Sequence, residues 1–271
     1  MGGGIMTIHA TELGDSLVER LNADYGADRP LRIEIAAVER ILTAIDIGVL
    51  TCLDAGFGNP VGSLCLRRLG GYWTTAVRTP GHVDHARAIL GEEPLILGEN
   101  GELPFEDKQF DVIVVARGLL SGDMVRDEAL IQEYHRVLKT PGYLILSGDY
   151  RKRMNVAGLL CRRSNASATG GYDDRQLFDL LKMGFDVLGI KTHCRFWMQT
   201  TRLMLDKKGR SKGRTTSVLY WIAHQLDLLL FFTKGYQVIA YGRRKGWRPR
   251  QALTAHHGMS ISESVLHRSR R

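Results

Sequence analysis

Between residues 49 and 148 short apolar runs alternate with stretches of helical spacing, and this rhythm restricts the fold more than any other property of the chain. "VLTCLDAG" closes on a glycine and reads as a buried strand. "VGSLCLRRLGG" reads as a helix stopped by Gly70 and Gly71, "YWTTAV" as a second strand, "HVDHARAILG" as a second helix and "PLILGE" as a short third strand. "FDVIVVA" is almost wholly apolar, as a strand covered on both faces of a parallel sheet must be. "RDEALIQEYHRVLK" carries Ala129, Ile131, Tyr134, Val137 and Leu138 on one helical stripe, and Pro141-Gly142 turns the chain into "YLILSG". Alternation of this kind predicts an α/β chain, a doubly wound, mostly parallel sheet with right-handed crossovers.

The flanks extend the pattern. "LRIEIAAVERILTAIDIG" spaces Ile35, Val38, Ile41, Leu42 and Ile45 as an amphipathic helix, with Gly48 as its C-cap. A short helix is expected over residues 15–24. "DDRQLFDLLKMGFDVLGIKTH" adds one more helix and strand, and residues 197–240 then leave the rhythm. The expected organisation is an N-terminal extension (1–30), a core domain (31–196), a C-terminal helical elaboration acting as a lid or interfacial piece (197–246), and a basic flexible tail (247–271).

The four cysteines are widely spaced and form no C-x-x-C, so neither zinc nor a disulfide framework is indicated. The N-terminal residues lack a charged stretch followed by an apolar core, so no signal peptide is expected and the reading is cytoplasmic. Net charge is +8, concentrated in "KKGRSKGR" (207–214) and "GRRKGWRPR" (242–250). Such clusters suit an anionic neighbour, whether membrane surface, acidic substrate or nucleic acid. The bland alternative is a solvated basic face.

The stretch "LDAGFGNP" (53–60) holds the most chemistry. Asp54 stands two residues before Gly56-Phe57-Gly58, at the end of the first strand. In a doubly wound sheet ligands bind outside the carboxyl ends of the strands. Glycines there let a ligand approach the main chain, and the following helix offers free amides. A dinucleotide fingerprint is one residue out of register, since the third glycine is Gly62, and no Gly-Lys-Ser/Thr follows as a P-loop requires. An acid at this turn suits a cationic ligand better than a pyrophosphate.

"LDAGFGN" resembles motif I of the class I S-adenosylmethionine-dependent methyltransferases. "LPFEDKQFDVIVVARGLL" with "LIQEYHRVLKTPGYLIL" resembles the later motifs of that family's small-molecule branch, in the right order and at a fitting distance. The resemblance covers residues 35–148. It implies a Rossmann-like methyltransferase fold, S-adenosylmethionine as cofactor, and methyl transfer to a small-molecule or lipid-like acceptor. It places Asp54, Gly56 and Gly58 at the cofactor, and Glu99, with Asn100 beside it, at the adenine. Arg78 falls where the family carries the acid that binds the ribose hydroxyls. A guanidinium cannot accept hydrogen bonds, so Asp84 is the nearest replacement. That departure supports the alternative of a binding module that keeps the fold without catalysis, peripheral to a membrane. An RNA methyltransferase rests on charge alone, with no appended RNA-binding motif, which makes nucleic acid an unlikely partner.

The remaining candidates are weaker. "HVDH" (His82, Asp84, His85) reads as a solvated helix start, and no metal site is expected. His135 reads as a surface residue. His193 and His224 are the candidates for a general base, with nothing to choose between them. "SVLYWIAHQLDLLLFFTKGY" (217–236) puts Ser217, Tyr220, His224 and Asp227 on one stripe of a heavily apolar helix, too short and polar to span a bilayer. It reads as a core or lid helix, with an interfacial helix beside the basic 207–214 stretch as the alternative.

Overall fold

A computed structural model of the protein describes residues 4–56, 60–77, 79–97, 102–116, 124–151, 171–207 and 214–247, with side chains from residue 16 onward except at Met124, Asp206, Lys207 and Arg214. Seven strands form one sheet in the order β3-β2-β1-β4-β5-β7-β6. They are β1 (Thr51–Ala55), β2 (Tyr72–Val77), β3 (Leu95–Ile96), β4 (Phe110–Val115), β5 (Leu138–Asp149), β6 (Phe185–His193) and β7 (Gln237–Arg244). β1 pairs in parallel with both β2 and β4, so the strand order reverses there. β7 alone runs antiparallel, between β5 and β6. The predicted mostly parallel, doubly wound sheet is what forms.

Helices cover both faces. On one lie α1 (Gly4–Ala27), α2 (Arg29–Ile45), α3 (Pro60–Arg67) and α4 (Val83–Leu90), and on the other α5 (Met124–Val137) and α6 (Asp174–Leu181). The α2 face buries Ile35, Val38 and Leu42 against Cys52, Val112, Val114 and Ile145. The α5 face buries Ile131, Tyr134, Leu177 and Leu180 against Leu53, Ile113, Val115 and Leu146. Alternate residues of each central strand go to opposite faces, so the middles of β1 (Cys52, Leu53) and β4 (Val112 to Val115) are apolar on both.

Helix ends differ from the simple reading. α1 is much longer than the short helix expected. α2 begins under Asp28, whose side chain accepts from the Leu31 amide at 3.0 Å. It ends on Asp46 rather than Gly48. Asp46 takes the left-handed conformation (φ 59°), and its amide bonds to the carbonyls of Leu42 and Thr43. Aspartate tolerates that conformation better than most side chains. α6 opens with a full capping box from Asp173 and Gln176.

β7 is the larger difference. It lies within the stretch read as a lid or interfacial elaboration, yet it is a buried strand of the sheet. Between β6 and β7 stand α7 (Phe196–Lys207) and α8 (Arg214–Leu229), an α-hairpin. β6 ends and β7 begins at the carboxyl edge of the parallel strands, so the hairpin stands at that edge. Residues 248–271, where a flexible tail is expected, lie outside the described residues.

Candidate active site

At the reversal of strand order the last residues of β1 meet the carboxyl edge of the sheet, where open α/β folds bind ligands. Asp54 pairs across the sheet with Thr75 of β2 and Val114 of β4 and is 1% exposed. Gly56 follows with φ 127°, a conformation that side chains disfavour. Pro60 is the first residue of α3, where its missing N–H costs nothing. A buried carboxylate, a glycine turn and a helix start therefore converge on one edge. Gly58, Arg78, Glu99 and Asn100 lie outside the described residues.

Next to Asp54, Thr75 sits in a polar cluster that sequence reading missed. The Thr75 hydroxyl accepts from Arg67 at 2.7 Å and donates to Glu92 at 2.5 Å. Arg67 also ion-pairs with Glu92 and reaches Ser63 at 2.5 Å. Its charge is thus committed between α3 and α4 and is not available at the strand edge.

The "LPF" and "RVLK" segments prove to be two halves of one clamp. Arg136 of α5 donates to the carbonyls of Leu103 (3.1 Å) and Phe105 (2.9 Å), to Asp107 (2.8 Å) and to Glu133 (2.9 Å). Glu133 in turn accepts from the Leu103 amide at 3.2 Å. These bonds hold the Glu133 carboxyl below its ordinary range, the Arg136 hydrogen bond leading and burial opposing. Lys139 pairs with Asp111 at 2.7 Å, and Asp111 caps Thr51 at the foot of β1. Burial works against the Asp111 charge, but bonds from Lys139 and Thr51 keep its pKa low. Charge-assisted bonds of this kind fix the loop 103–107 and the start of β1 to α5 and β5. The Lys139–Gly142 stretch bulges out of β5, and a Cβ on Gly142 would lie 2.5 Å from the Lys139 carbonyl oxygen, so only glycine fits.

The comparisons agree with this geometry. Residues 53–146 match a family described as a methyltransferase domain. The chain has the class I S-adenosylmethionine-dependent methyltransferase fold. The PH0226 protein of Pyrococcus horikoshii is similar at TM-score 0.53 and 15% identity, over 80% of this chain and 92% of that one. The [4+2]-cyclase SpnF is similar at TM-score 0.53 and 17% identity, over 81% and 93%. Geranyl diphosphate C-methyltransferase of Streptomyces coelicolor, solved with Mg2+, geranyl-S-thiolodiphosphate and S-adenosyl-L-homocysteine, is similar at TM-score 0.50 and 14% identity, over 78% and 76%. At these identities the likeness shows the fold. No curated protein matches the chain in sequence. S-adenosylmethionine is the cofactor of enzymes with this fold, and a methyltransferase domain is what residues 53–146 match.

One histidine is placed unlike the sequence reading. His135 is buried at 8% exposure, not on the surface. It bonds to the Lys245 carbonyl at 2.6 Å and meets Phe185 and Trp247 edge-on, because α5 packs across the start of β6. His82 and His85 have ring centroids 5.9 Å apart, and exposed Asp84 binds Arg87 at 3.0 Å. Among the described residues no three His, Cys, Asp or Glu side chains gather as a metal would need. His193 lines a cavity between α2 and the sheet that does not include Asp54. His224 is half-buried on α8, its pKa lowered by burial and then by Arg29.

Asp227, on the same helix, has a structural job. It accepts from the amides of Trp197 (2.8 Å) and Met198 (3.4 Å), capping α7 from across the hairpin. Burial raises its pKa, and those amide bonds oppose the rise. Tyr220, Ala223 and Asp227 form the buried stripe of α8. Its opposite stripe is exposed, including Trp221 (55%), Leu229 (71%), Phe231 (77%) and Phe232 (74%) at or just beyond its end. α8 is therefore not a core helix.

Proposed function

We propose that the protein transfers the methyl group of S-adenosylmethionine to a small apolar or lipid-like acceptor. The observation that carries the reading is Asp54, a buried carboxylate at the end of β1 directly before Gly56. A carboxylate removed from water favours a cation there, and S-adenosylmethionine carries both an ammonium and a sulfonium. Asp54 would hold the amino-acid end, Gly56 and Gly58 would admit it against the backbone, and Glu99 with Asn100 would take the adenine. When bound, the cofactor supplies an electrophilic methyl group. The protein's part is positioning, because in-line displacement depends on alignment of the reacting atoms. Calorimetric titration with S-adenosylmethionine tests the reading directly. Absence of binding would leave the fold as a non-catalytic module.

Arg78 bears on how tightly the cofactor is held. It stands where an acid is expected, and Asp84 is committed to Arg87 at the exposed start of α4. Arg78→Glu should therefore tighten S-adenosylmethionine binding by about 1–3 kcal/mol, the range for charge-assisted bonds to ribose. Asp84→Ala should leave affinity unchanged. Weakening by Asp84→Ala would show instead that this residue has taken over the ribose.

The exposed stripe of α8 favours a second element of the reading, contact with an anionic membrane. Trp221, Ile222, Leu228, Leu229, Phe231 and Phe232 face solvent, and the basic run 207–214 directly precedes the helix. Patches of this kind mark interaction surfaces. No described helix is long and apolar enough to cross a membrane, so contact would be interfacial. Among relatives in fold, one is named a geranyl diphosphate C-methyltransferase. Binding to phosphatidylcholine vesicles should rise as phosphatidylglycerol is added and fall with salt. Phe231→Ser with Phe232→Ser should reduce it about tenfold or more, as expected for two buried aromatics. Equal binding to neutral and anionic vesicles would leave α8 as a lid.

A further inference from the structure

A cavity of about 340 Å³ opens between α2 and the β5–β7–β6 part of the sheet. Its origin is local. Ala37 and Ala44 are seven residues apart on α2, so both point to the same side of the helix. Their methyl groups are too short to fill the gap over this end of the sheet. The floor is Tyr143, Ile239 and Tyr241, one from β5 and two from β7. Volume and apolar lining match those of small-molecule sites.

The polar groups at this cavity have one sign. Arg40 of α2 and Lys191 of β6 line it, both are exposed, and neither forms an ion pair among the described residues. No lining residue is acidic. His193 lines it too, and its Nε2 is buried without a hydrogen-bond partner. An apolar floor under two unpaired cations and an unsatisfied imidazole is complementary to an anion attached to an apolar body.

We propose that this cavity binds an amphipathic carboxylate, its chain over Tyr143, Ile239 and Tyr241 and its anionic end between Arg40, Lys191 and His193. The site is separate from the Asp54 edge. Two strands, β4 and β5, lie between β1 and β7, and Asp54 does not line the cavity. The inference therefore does not depend on the cofactor reading.

His193 supplies a readout specific to this site. Burial, followed by the charges of Arg40, Lys191 and Arg195, pushes its pKa down to about 4, so the imidazole is neutral at pH 7. The tyrosine hydroxyls of Tyr143 and Tyr241 are the other titratable groups lining the cavity. An anion placed among those cations offsets their repulsion and must raise the His193 pKa.

The test uses octanoate, with octanol as its uncharged analogue, below their aggregation concentrations. Octanoate should bind the full-length protein about tenfold more tightly than octanol, the scale of one charge-assisted contact. Its binding should move the His193 titration, followed by NMR of the imidazole protons, to higher pH. Arg40→Ala with Lys191→Ala, both at exposed positions, should abolish the preference for octanoate. Ala44→Phe should fill the cavity and remove binding of both probes, while Asp54→Ala should leave octanoate binding intact. Equal affinity for octanoate and octanol overturns the proposal. So does octanoate binding that leaves His193 unshifted, which would place the probe on the exposed stripe of α8 instead.

Discussion

Asp54→Ala is expected to weaken S-adenosylmethionine binding at least about tenfold, a loss of roughly 1.4 kcal/mol or more. The carboxylate is 1% exposed and belongs to the last turn of chain before Gly56. In so dry a place its charge is poorly screened, and its attraction for a cationic ligand is larger than on a surface. Asp54→Asn should lose nearly as much, because it keeps the shape and removes the charge. Calorimetry on both variants, with circular dichroism to verify the fold, makes the measurement. Unchanged affinity in a folded Asp54→Ala protein would remove this residue from the cofactor site. The cofactor's cationic end would then have to be held from another strand end.

Among the described glycines, Gly235→Ala should be the most damaging change, costing about 3 kcal/mol of stability, within the range of severe steric substitutions. Gly235 lies where the chain comes off α8 and enters β7, crossing the end of β6. Its amide bonds to the Thr192 hydroxyl at 3.0 Å, and the next amide, of Tyr236, reaches the carbonyls of His193 (3.0 Å) and Cys194 (2.9 Å). A Cβ on Gly235 would fall 1.8 Å from the His193 carbonyl oxygen. Backbone cannot swing aside as a side chain can, so β6 and the start of β7 must separate. β7 pairs on both sides, and displacing it disturbs its ladders with β5 and β6 together. Gly246→Ala is the control. A Cβ there meets nothing within 4 Å, and the change should stay within about 0.5 kcal/mol. Urea midpoints of the two variants decide the matter, and equal midpoints would refute the crossing geometry.

Some of this could be read from residues alone because it is local. Strand and helix periodicity depends on neighbours two to four positions away, so β1, β2, β4 and the apolar stripes of α2 and α5 were legible. The turn after β1 was legible for a similar reason. The φ of 127° at Gly56 strongly favours glycine, and a helix start welcomes proline, whatever the rest of the chain does. The "LPF" and "RVLK" segments were recognisable as a pair, but their role was not. Arg136 is a clamp on Leu103, Phe105 and Asp107, and only the folded chain brings those groups within 3.1 Å of it.

β7 escaped the sequence reading although "QVIAYG" is a short β-prone run after Lys234-Gly235. The signal was there, but a parallel rhythm gives no reason to expect an antiparallel strand inserted last. Its place is decided by the gap between β5 and β6, which some 90 residues of intervening chain do not reveal. The same insertion decides the environments of the histidines. His135 is buried because the chain leaving β7 carries Lys245 and Trp247 over it. His193 becomes a cavity residue because α2 lies across the same sheet face with two alanines where larger side chains would have closed the gap. Local sequence determined which segments are strands and helices and where the ligand turn lies. The tertiary structure decided which charges are buried, which are paired and which are left facing a cavity. Those outcomes depend on distances between segments far apart in the chain, which no local pattern encodes.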